Sequence, residues 1–104
     1  MIARIWRGWT ASSRAGEYIE YLNRTGVPGL SGTPGNRGVY VLHRDVGDDR
    51  TEFVVMSLWD SRESIKAFAG QDISVARFYP QDDEFLIERD WNCDHFEVPV
   101  APRL

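Results

Sequence analysis

The sequence predicts a single α+β domain in which two helices pack on one face of an antiparallel sheet. Three observations lead to this fold class. The chain has 104 residues, which is about the length of one small domain. Apolar residues make up 42% and charged residues 27% of the chain, as in ordinary soluble globular proteins. Stretches with strand-like composition alternate with stretches of helical periodicity in the order β-α-β-β-α-β.

The first half of the chain predicts a strand, a helix and a long loop. Ile2 to Thr10 is rich in isoleucine and tryptophan and lacks strong helix formers, which favours a strand. The stretch Ser12-Ser13-Arg14-Ala15 predicts a helix start, because a serine hydroxyl can accept a free backbone N–H, and the apolar residues that follow recur at helical spacing. A glycine and a proline end this helix. Segment 25–37 is rich in both residues, and we expect a loop that is either a lid over a site or only a mobile connection.

The middle of the chain predicts a hairpin and a second helix. Val39 to Val46 and Glu52 to Trp59 are apolar, β-branched runs around a Gly-Asp turn, which is typical of a β-hairpin. A helix is expected to begin at Asp60 or Ser61, since Asp60 and Glu63 have the spacing of a capping box.

The last third predicts a short helix, a loop and the final strand. Asp72 can cap a short helix that Pro80 ends. The acidic stretch 82–84 reads as a solvated loop, in which the adjacent carboxylates diverge. Phe85 to Val98 is expected to hold the last strand. No linker or repeat divides the chain, so residues 1–98 are predicted to form one domain and residues 99–104 a C-terminal tail.

This order of elements matches the ferredoxin-like motif, in which both helices lie on one face of the sheet. The opposite face normally carries polar residues. Here both sides of the strands are apolar. The third strand has Phe53, Val55 and Trp59 on one side and Val54, Met56 and Leu58 on the other, and the second strand has Val39 and Val41 against Tyr40 and Leu42. Soluble monomers rarely expose such a surface, so the sequence predicts a homodimer that packs two sheet faces together.

Composition excludes several classes of partner. The chain has 16 acidic and 12 basic residues and a net charge of −4, which argues against a nucleic-acid partner. No apolar run approaches the roughly 20 residues that span a bilayer, and the first nine residues do not resemble a signal peptide. The single cysteine, Cys93, cannot form an internal disulfide. We therefore expect a cytoplasmic protein with no membrane partner.

Residues 53–72, FVVMSLWDSRESIKAFAGQD, resemble the junction of the third strand and second helix in the antibiotic biosynthesis monooxygenase (ABM) family of dimeric α+β barrels. The later segments YPQDDEFL and HFEV are similar to the closing part of small bacterial members. The resemblance extends from about Ile2 to Val98. It implies one cavity per subunit between the sheet and its helices. It further implies O₂-dependent oxidation of a phenolic or quinol substrate without a bound metal or other cofactor.

The haem-degrading branch of the family resembles a different site. That site has an asparagine on the first strand, with a tryptophan and a haem-ligating histidine in the second helical region. In this sequence Trp6, Phe68 and Phe78 stand at those three positions. The resemblance therefore does not extend to that mechanism, and no haem is expected.

Aromatic residues are the candidate ligand-binding side chains, since planar rings stack on flat apolar molecules. The candidates are Trp6, Trp59, Phe68 and Phe78, and the alternative is that they only fill the core or the dimer interface. His43 and Tyr79 are the candidate catalytic residues. His43 shares strand parity with two valines and could act as a buried general base, or it could be a hydrogen-bonded core or rim histidine. Tyr79 could hold a substrate hydroxyl or cap a helix.

Other polar residues favour less specific roles. Cys93 and His95 have the spacing of a ligand pair, but two ligands are too few for zinc, so no metal site is expected. Arg4 would need a carboxylate partner if it were buried, such as Asp90 or Asp94, and an ion pair between subunits is the favoured use.

The sequence therefore predicts a homodimeric, cofactor-independent monooxygenase that acts on a small flat aromatic molecule. The alternative is a non-catalytic binding or sensing module for a small apolar ligand. A third possibility is a structural dimer whose aromatic residues leave no cavity.

Overall fold

A five-stranded antiparallel sheet carries the fold. The computed structural model describes residues 1–102. Strand β1 lies between β3 on one side and both β4 and β5 on the other, and β2 forms the edge beyond β3. The strands are β1 (Ile2–Ala11), β2 (Asn36–Gly47), β3 (Arg50–Trp59), β4 (Leu86–Arg89) and β5 (Asp94–Glu97). The helices are α1 (Ala15–Arg24), α2 (Gly26–Ser31), α3 (Arg62–Ala69) and α4 (Asp82–Phe85). The predicted α+β, ferredoxin-like architecture is confirmed.

The predicted hairpin is formed by β2 and β3. Its two turn residues, Asp48 and Asp49, have φ values of 54° and 59°, the left-handed conformation that a tight two-residue hairpin turn requires. Aspartate tolerates this conformation better than most residues. The register places Leu42 opposite Val54 and His43 opposite Phe53, so neighbouring residues of β2 point to opposite faces.

The beginning of α1 differs from the prediction. Ser12 lies in a 3₁₀ turn, Ser12–Arg14, that precedes the helix, and no side chain caps α1. The Ser12 hydroxyl instead bonds the Thr51 hydroxyl across 2.9 Å. This contact joins the end of β1 to β3, so the Ser12 hydroxyl makes a tertiary hydrogen bond instead of capping the helix.

Segment 25–37 is not wholly a loop, because residues 26–31 form α2. Glycine and proline disfavour helices in isolation, but packing of an apolar face stabilises short helices in proteins. Leu30 is buried against Phe68, and Val27 packs against the tyrosines of α1.

Helix α3 begins one residue later than a capping box at Asp60 would place it. The hydroxyl of Ser61 accepts the backbone N–H of Ser64 at 3.2 Å, which makes Ser61 the cap. Asp60 pairs with Arg37 at 3.0 Å instead. Gly70, with a φ of 94°, follows the helix.

The predicted short helix after Asp72 is absent, and residues 70–81 contain no regular helix or strand in the structure. The side chain of Asp72 accepts the N–H of Ser74 at 3.1 Å, forming a turn. The carbonyls of the next residues bond elsewhere: that of Ser74 accepts the N–H of Cys93 at 2.7 Å, and that of Val75 accepts the Arg4 guanidinium at 3.2 Å. A helix would need these carbonyls for its own hydrogen bonds.

The acidic stretch and the last strand also differ from the prediction. Residues 82–85 form the one-turn helix α4, and Asp82 is buried, with 5% of its surface exposed. The last strand is divided into β4 and β5, which both pair with β1. Between them the N–H of Asp90 still donates to the carbonyl of Arg7 at 2.9 Å. Residues 90–93 do not continue the strand pairing with β1, and Cys93 lies on the covered side of the sheet, where it lines the cavity.

Helices and loops cover one face of the sheet but not the other. Helices and segment 70–81 pack on the face that carries Trp6, Phe53 and Val55, where both core clusters lie. We call the other side the open face; its apolar side chains include Ala3, Ile5, Trp9, Tyr40, Leu42, Val54, Met56, Leu58 and Phe96, of which Ala3 and Leu58 are buried. Of these, Tyr40, Leu42 and Phe96 are 43%, 49% and 52% exposed.

Within residues 1–102, no helix has the length and apolar character needed to cross a membrane. Residues 98–102 have no regular secondary structure. The predicted tail begins at residue 99, and its last two residues lie outside the described part of the chain. The boundary between domain and tail stays a prediction.

Candidate functional site

A cavity of about 60 Å³ lies between the covered face of the sheet and the elements that pack on it. Strands β1 and β3 form its floor, α1, α2 and α3 contribute side chains to its walls, and segment 76–79 closes it. Apolar side chains form most of the lining, with a smaller set of polar ones. The apolar set includes Trp6, Leu22, Leu30, Val55, Phe68 and Phe78; the polar set includes Arg4, Tyr18, Ser57, Arg77, Tyr79, Asp82 and Cys93.

The structure brings together Trp6, Phe68, Phe78 and Tyr79 from the set of predicted site residues. The indole N–H of Trp6 donates to the carbonyl of Asp90 at 2.8 Å, which fixes the ring plane. The rings of Trp6 and Phe78 meet edge to face at 6.1 Å, a favourable geometry for aromatic pairs. Together these rings give the cavity flat, apolar walls.

Trp59 and His43 do not line this cavity. Trp59 is fully buried in the core beside Ile65. His43 is exposed on β2, where its ring stacks on Phe53 at 5.6 Å, and it borders a second depression together with Arg7 and Glu52. Their site roles stay predictions.

Trp59 nevertheless contacts Ser57, a residue that lines the cavity. Its indole N–H donates to the Ser57 hydroxyl oxygen at 2.8 Å. Because this bond occupies an acceptor position only, the Ser57 hydroxyl keeps its own hydrogen for another group. Ser57 is buried and lines the cavity.

A buried carboxyl, Asp82, stands at one end of the cavity. Its two oxygens accept the Tyr18 hydroxyl at 3.2 Å and the backbone N–H of Tyr79 at 2.7 Å. Burial raises the pKa of Asp82, and these hydrogen bonds together with Arg89 offset part of the rise. Burial and the neighbouring Asp82 also raise the pKa of Tyr18. The sequence pattern shows only a run of acids, which is why this residue was missed.

Arg4 stands at the other end and is only 4% exposed. Its guanidinium donates to the carbonyls of Ile73 and Val75 and to Nε2 of His95, the last at 3.1 Å. Burial lowers the pKa of His95, and the charge of Arg4 lowers it further, so the imidazole is neutral and accepts this bond. Burial likewise lowers the pKa of Arg4, but an arginine remains charged at neutral pH.

The expected carboxylate partner of Arg4 is not there. Among residues 1–102 no carboxylate oxygen lies within 4.0 Å of its guanidinium, and Asp94 pairs with Arg7 at 3.7 Å instead. The reason is register: Asp94 lies opposite Ile5 and shares the open face with Arg7, whereas Arg4 points to the covered face. Cys93 lies beside Arg4, and burial raises the pKa of its thiol.

Helix α2 forms one wall of the cavity with Gly26 and Leu30. Gly29 of the same helix faces Tyr79 closely: a Cβ built on Gly29 would clash with the tyrosine hydroxyl and come within 3.4 Å of the Phe68 ring. The segment predicted to be a possible lid therefore covers the cavity as a helix, and its movement stays a prediction.

The chain matches known proteins at two levels. Residues 1–76 match the family model described as "Antibiotic biosynthesis monooxygenase". No curated protein is significantly similar to the chain in sequence. Among solved structures, the candidate antibiotic biosynthesis monooxygenase of Bacillus cereus superposes with a TM-score of 0.67 at 20% identity, covering 100% of this chain and 96% of that one. The corresponding protein of Nitrosomonas europaea gives 0.65 at 16% identity, covering 96% and 100%.

The heme-degrader MhuD of Mycobacterium tuberculosis, solved with two hemes bound, gives a TM-score of 0.60 at 20% identity, covering 97% of this chain and 98% of that one. The cavity described above does not fit a haem. Neither His43 nor His95 lines it, and its one thiol is buried with a raised pKa, whereas a haem-binding cysteine must be a thiolate. Of the two tyrosines that line it, Tyr18 donates its hydroxyl to Asp82 at 3.2 Å, and the hydroxyl of Tyr79 lies against Gly29 of α2. Its volume of about 60 Å³ is also far below the roughly 300 Å³ of small cofactor pockets. Among residues 1–102 no three metal-binding side chains cluster.

Proposed function

Because the chain belongs to the antibiotic biosynthesis monooxygenase family, we propose that its cavity binds a phenol or quinol with one aromatic ring and that the protein oxidises this ligand with O₂. The observation that carries the proposal is the cavity itself, in which Trp6, Phe68 and Phe78 form flat walls beside the polar groups of Tyr79 and Asp82. Few convergent polar groups in an apolar cavity are typical of small-molecule sites.

The size of the cavity favours small ligands. A benzene ring occupies cavities of about 150 Å³, which is more than the about 60 Å³ present. A one-ring ligand therefore enters by displacing Phe78 and Tyr79. Both belong to segment 70–81, which has no regular secondary structure to hold it. Larger, polycyclic phenols would require much more displacement, and we expect them to bind worse.

The proposed reaction balances without an additional reductant. One atom of O₂ enters the ring carbon para to the phenol hydroxyl. The other leaves as water with the hydroxyl hydrogen and the hydrogen of that ring carbon, so a phenol becomes a quinone. The phenolate form supplies the electrons. Tyr79 lines the cavity, and we assign it the task of moving the proton.

Oxygen uptake with a series of one-ring phenols and quinols tests this function. Replacing Tyr79 with Phe removes only the hydroxyl, and we expect turnover to fall by about 10²-fold or more. The matched variant is His43→Phe, which we expect to leave turnover within about twofold, because His43 lies outside the cavity.

The opposite pattern, with activity lost in His43→Phe and kept in Tyr79→Phe, would show that His43 and not Tyr79 moves the proton. Saturable binding of these phenols without oxygen uptake would instead identify a non-catalytic binding module. Absence of both would favour a structural role.

We also propose that two copies pack through their open faces. Support comes from Tyr40, Leu42 and Phe96, large apolar residues that are 43%, 49% and 52% exposed on one sheet surface. Burial of such side chains is the main favourable term in subunit association. A cytoplasmic location is a further proposal, and it rests on the single, unpaired Cys93.

A further inference from the structure

The arginines of the chain divide into two groups. Among residues 1–102, seven lie within 4.0 Å of a carboxylate: Arg7, Arg14, Arg37, Arg44, Arg50, Arg62 and Arg89. Three have no such partner, namely Arg4, Arg24 and Arg77. Arg24 is exposed on α1, where water solvates its charge. The other two both line the cavity.

Arg4 is the unusual member of this group. A buried charge without a counter-charge costs several kcal/mol in general, and only neutral groups accept its hydrogen bonds. The side chain is 96% buried and lines the cavity, so a ligand there could supply the missing negative charge.

The second cation, Arg77, lies near the edge of the same cavity. Its guanidinium donates to the carbonyl of Phe68 at 3.0 Å and stacks over the rings of Phe68 and Tyr79 at 4.8 and 5.2 Å. These contacts hold the charge in place without neutralising it. An approaching ligand therefore meets a positive potential, although the whole chain has a net charge of −4.

The acid of the cavity does not cancel these charges. Both oxygens of Asp82 already accept hydrogen bonds, from Tyr18 and from Tyr79. Tyr18 packs on Phe53, which lies opposite Gly8 of β1, four residues from Arg4. At about 3.3 Å per residue, Gly8 and Arg4 are roughly 13 Å apart along β1. No carboxylate among residues 1–102 pairs with Arg4, so the end at Arg4 is a cationic one.

We infer that the cavity selects anionic aromatic ligands, with Arg4 pairing with the negative oxygen of a one-ring phenolate or carboxylate and Arg77 attracting it from the edge. The inference rests on the proposed function and specifies its substrate class. For a phenol, pairing with Arg4 favours the ionised form, which is the form that can give electrons to O₂. Arg4 would thus both bind the substrate and activate it.

The test begins with the unmodified protein, one matched pair of probes and one probe that reports its own ionisation. Benzoate and benzamide have nearly the same shape and differ in charge, and we expect benzoate to bind at least tenfold more tightly in calorimetric titration. Para-nitrophenol reports its own ionisation by absorbance. An opposite charge within about 4–6 Å lowers the pKa of an acid by 1–3 units, so we expect the pKa of the bound phenol to fall by about one unit or more.

Three variants assign the effect to Arg4. Arg4→Met removes the charge and keeps much of the side-chain volume, and we expect it to abolish both the benzoate preference and the shift in para-nitrophenol. Arg4→Lys retains a charge and should restore part of each. Arg24→Met removes a charge of the same sign from the surface and should change neither.

Equal binding of benzoate and benzamide to the unmodified protein would overturn the inference, as would failure of both benzoate and para-nitrophenol to bind. The same conclusion follows if Arg24→Met reduces the preference as much as Arg4→Met. Should Arg4→Met fail to fold, the comparison on the unmodified protein decides. Oxidation of neutral phenols without a preference for anions would overturn this inference alone. A clear anion preference without oxygen uptake would support it and overturn the proposed oxidation.

Discussion

Asp82 links three parts of the molecule through one carboxyl. It holds the hydroxyl of Tyr18 from α1 and the backbone of Tyr79 from segment 70–81, and it begins α4. A carboxyl in this position satisfies two buried donors, and leaving either unpaired would cost about 1–3 kcal/mol. The same burial disfavours its negative charge.

This conflict predicts how stability depends on pH. Burial raises the pKa of Asp82 above the ordinary value of 3.8. A carboxyl whose pKa is higher in the folded than in the unfolded chain stabilises the fold less as the pH rises from the unfolded value through the folded one. Asparagine does not titrate. We therefore expect the free energy of unfolding of the native protein to fall relative to that of Asp82→Asn as the pH rises above about 4, as measured by urea denaturation.

A second variant should enlarge the pH dependence that Asp82→Asn removes. The Tyr18 hydroxyl donates to Asp82 and lowers its pKa, so Tyr18→Phe should raise that pKa further and extend the loss of stability to higher pH. Parallel pH profiles for the native protein and Asp82→Asn would contradict the assignment.

The residues of the cavity could be predicted only in part. Trp6 follows from strand parity, and Phe68 from the apolar face of α3, because regular elements repeat their orientation along the sequence. Arg4 lies on the same face as Trp6, yet its missing partner depends on Asp94 facing the other way across the sheet. Asp82 depends on Tyr18, which is 64 residues away. No local pattern encodes either relation.

At the scale of elements, α2 shows how packing overrides intrinsic preference. Its sequence, GVPGLS, has two glycines and a proline, yet it forms a helix of 6 residues. Gly29 has a specific reason to be glycine, since the Tyr79 hydroxyl occupies the place of a side chain there. Helix and tyrosine thus close the cavity together.

Two glycine replacements separate helix propensity from this close approach. Alanine is favoured over glycine in a helix by about 0.5–1 kcal/mol. A Cβ at Gly16 of α1 meets no atom within 4 Å, so Gly16→Ala should raise the free energy of unfolding by up to that amount. Gly29→Ala forces Tyr79 to move, and we expect it to lose this gain and to weaken ligand binding.

Urea denaturation and calorimetric titration with benzoate measure both effects. A Gly29→Ala protein that is as stabilised as Gly16→Ala, with unchanged benzoate affinity, would show that the position of Tyr79 is unimportant. Helix α2 could not be predicted, because its packing overrides the intrinsic preferences of its glycines and proline. Strands β2 and β3 could be predicted within a few residues, because their alternating pattern and Gly-Asp turn are local signals.

At the scale of the whole molecule, the proposed dimer depends on the open face. Leu42 is 49% exposed on the open face, opposite Val54 in the sheet register. An aspartate there would place a charge within the proposed interface, where an unpaired charge is costly. We expect Leu42→Asp to be monomeric in sedimentation and native mass spectrometry while keeping its fold by circular dichroism.

Val100→Asp is the matched control, because Val100 is 87% exposed in the C-terminal segment and lies outside the sheet. It should leave the dimer intact. A monomeric native protein, or a Leu42→Asp protein that is still dimeric, would show that the open face is not the interface.

From the position of β1 we also expect a particular order in which parts of the fold form. This central strand is made first, but its partners on one side are made last: Ile2 lies opposite Glu97, and Val98 donates to the carbonyl of Met1 at 3.0 Å. Contacts between distant residues close long loops and form slowly, so the β2–β3 hairpin precedes them. Phe78, Tyr79 and Cys93 arrive only with the final strands. We therefore expect part of the edge of β1 to stay unpaired during synthesis until β5 has emerged, and the cavity to be completed late in folding.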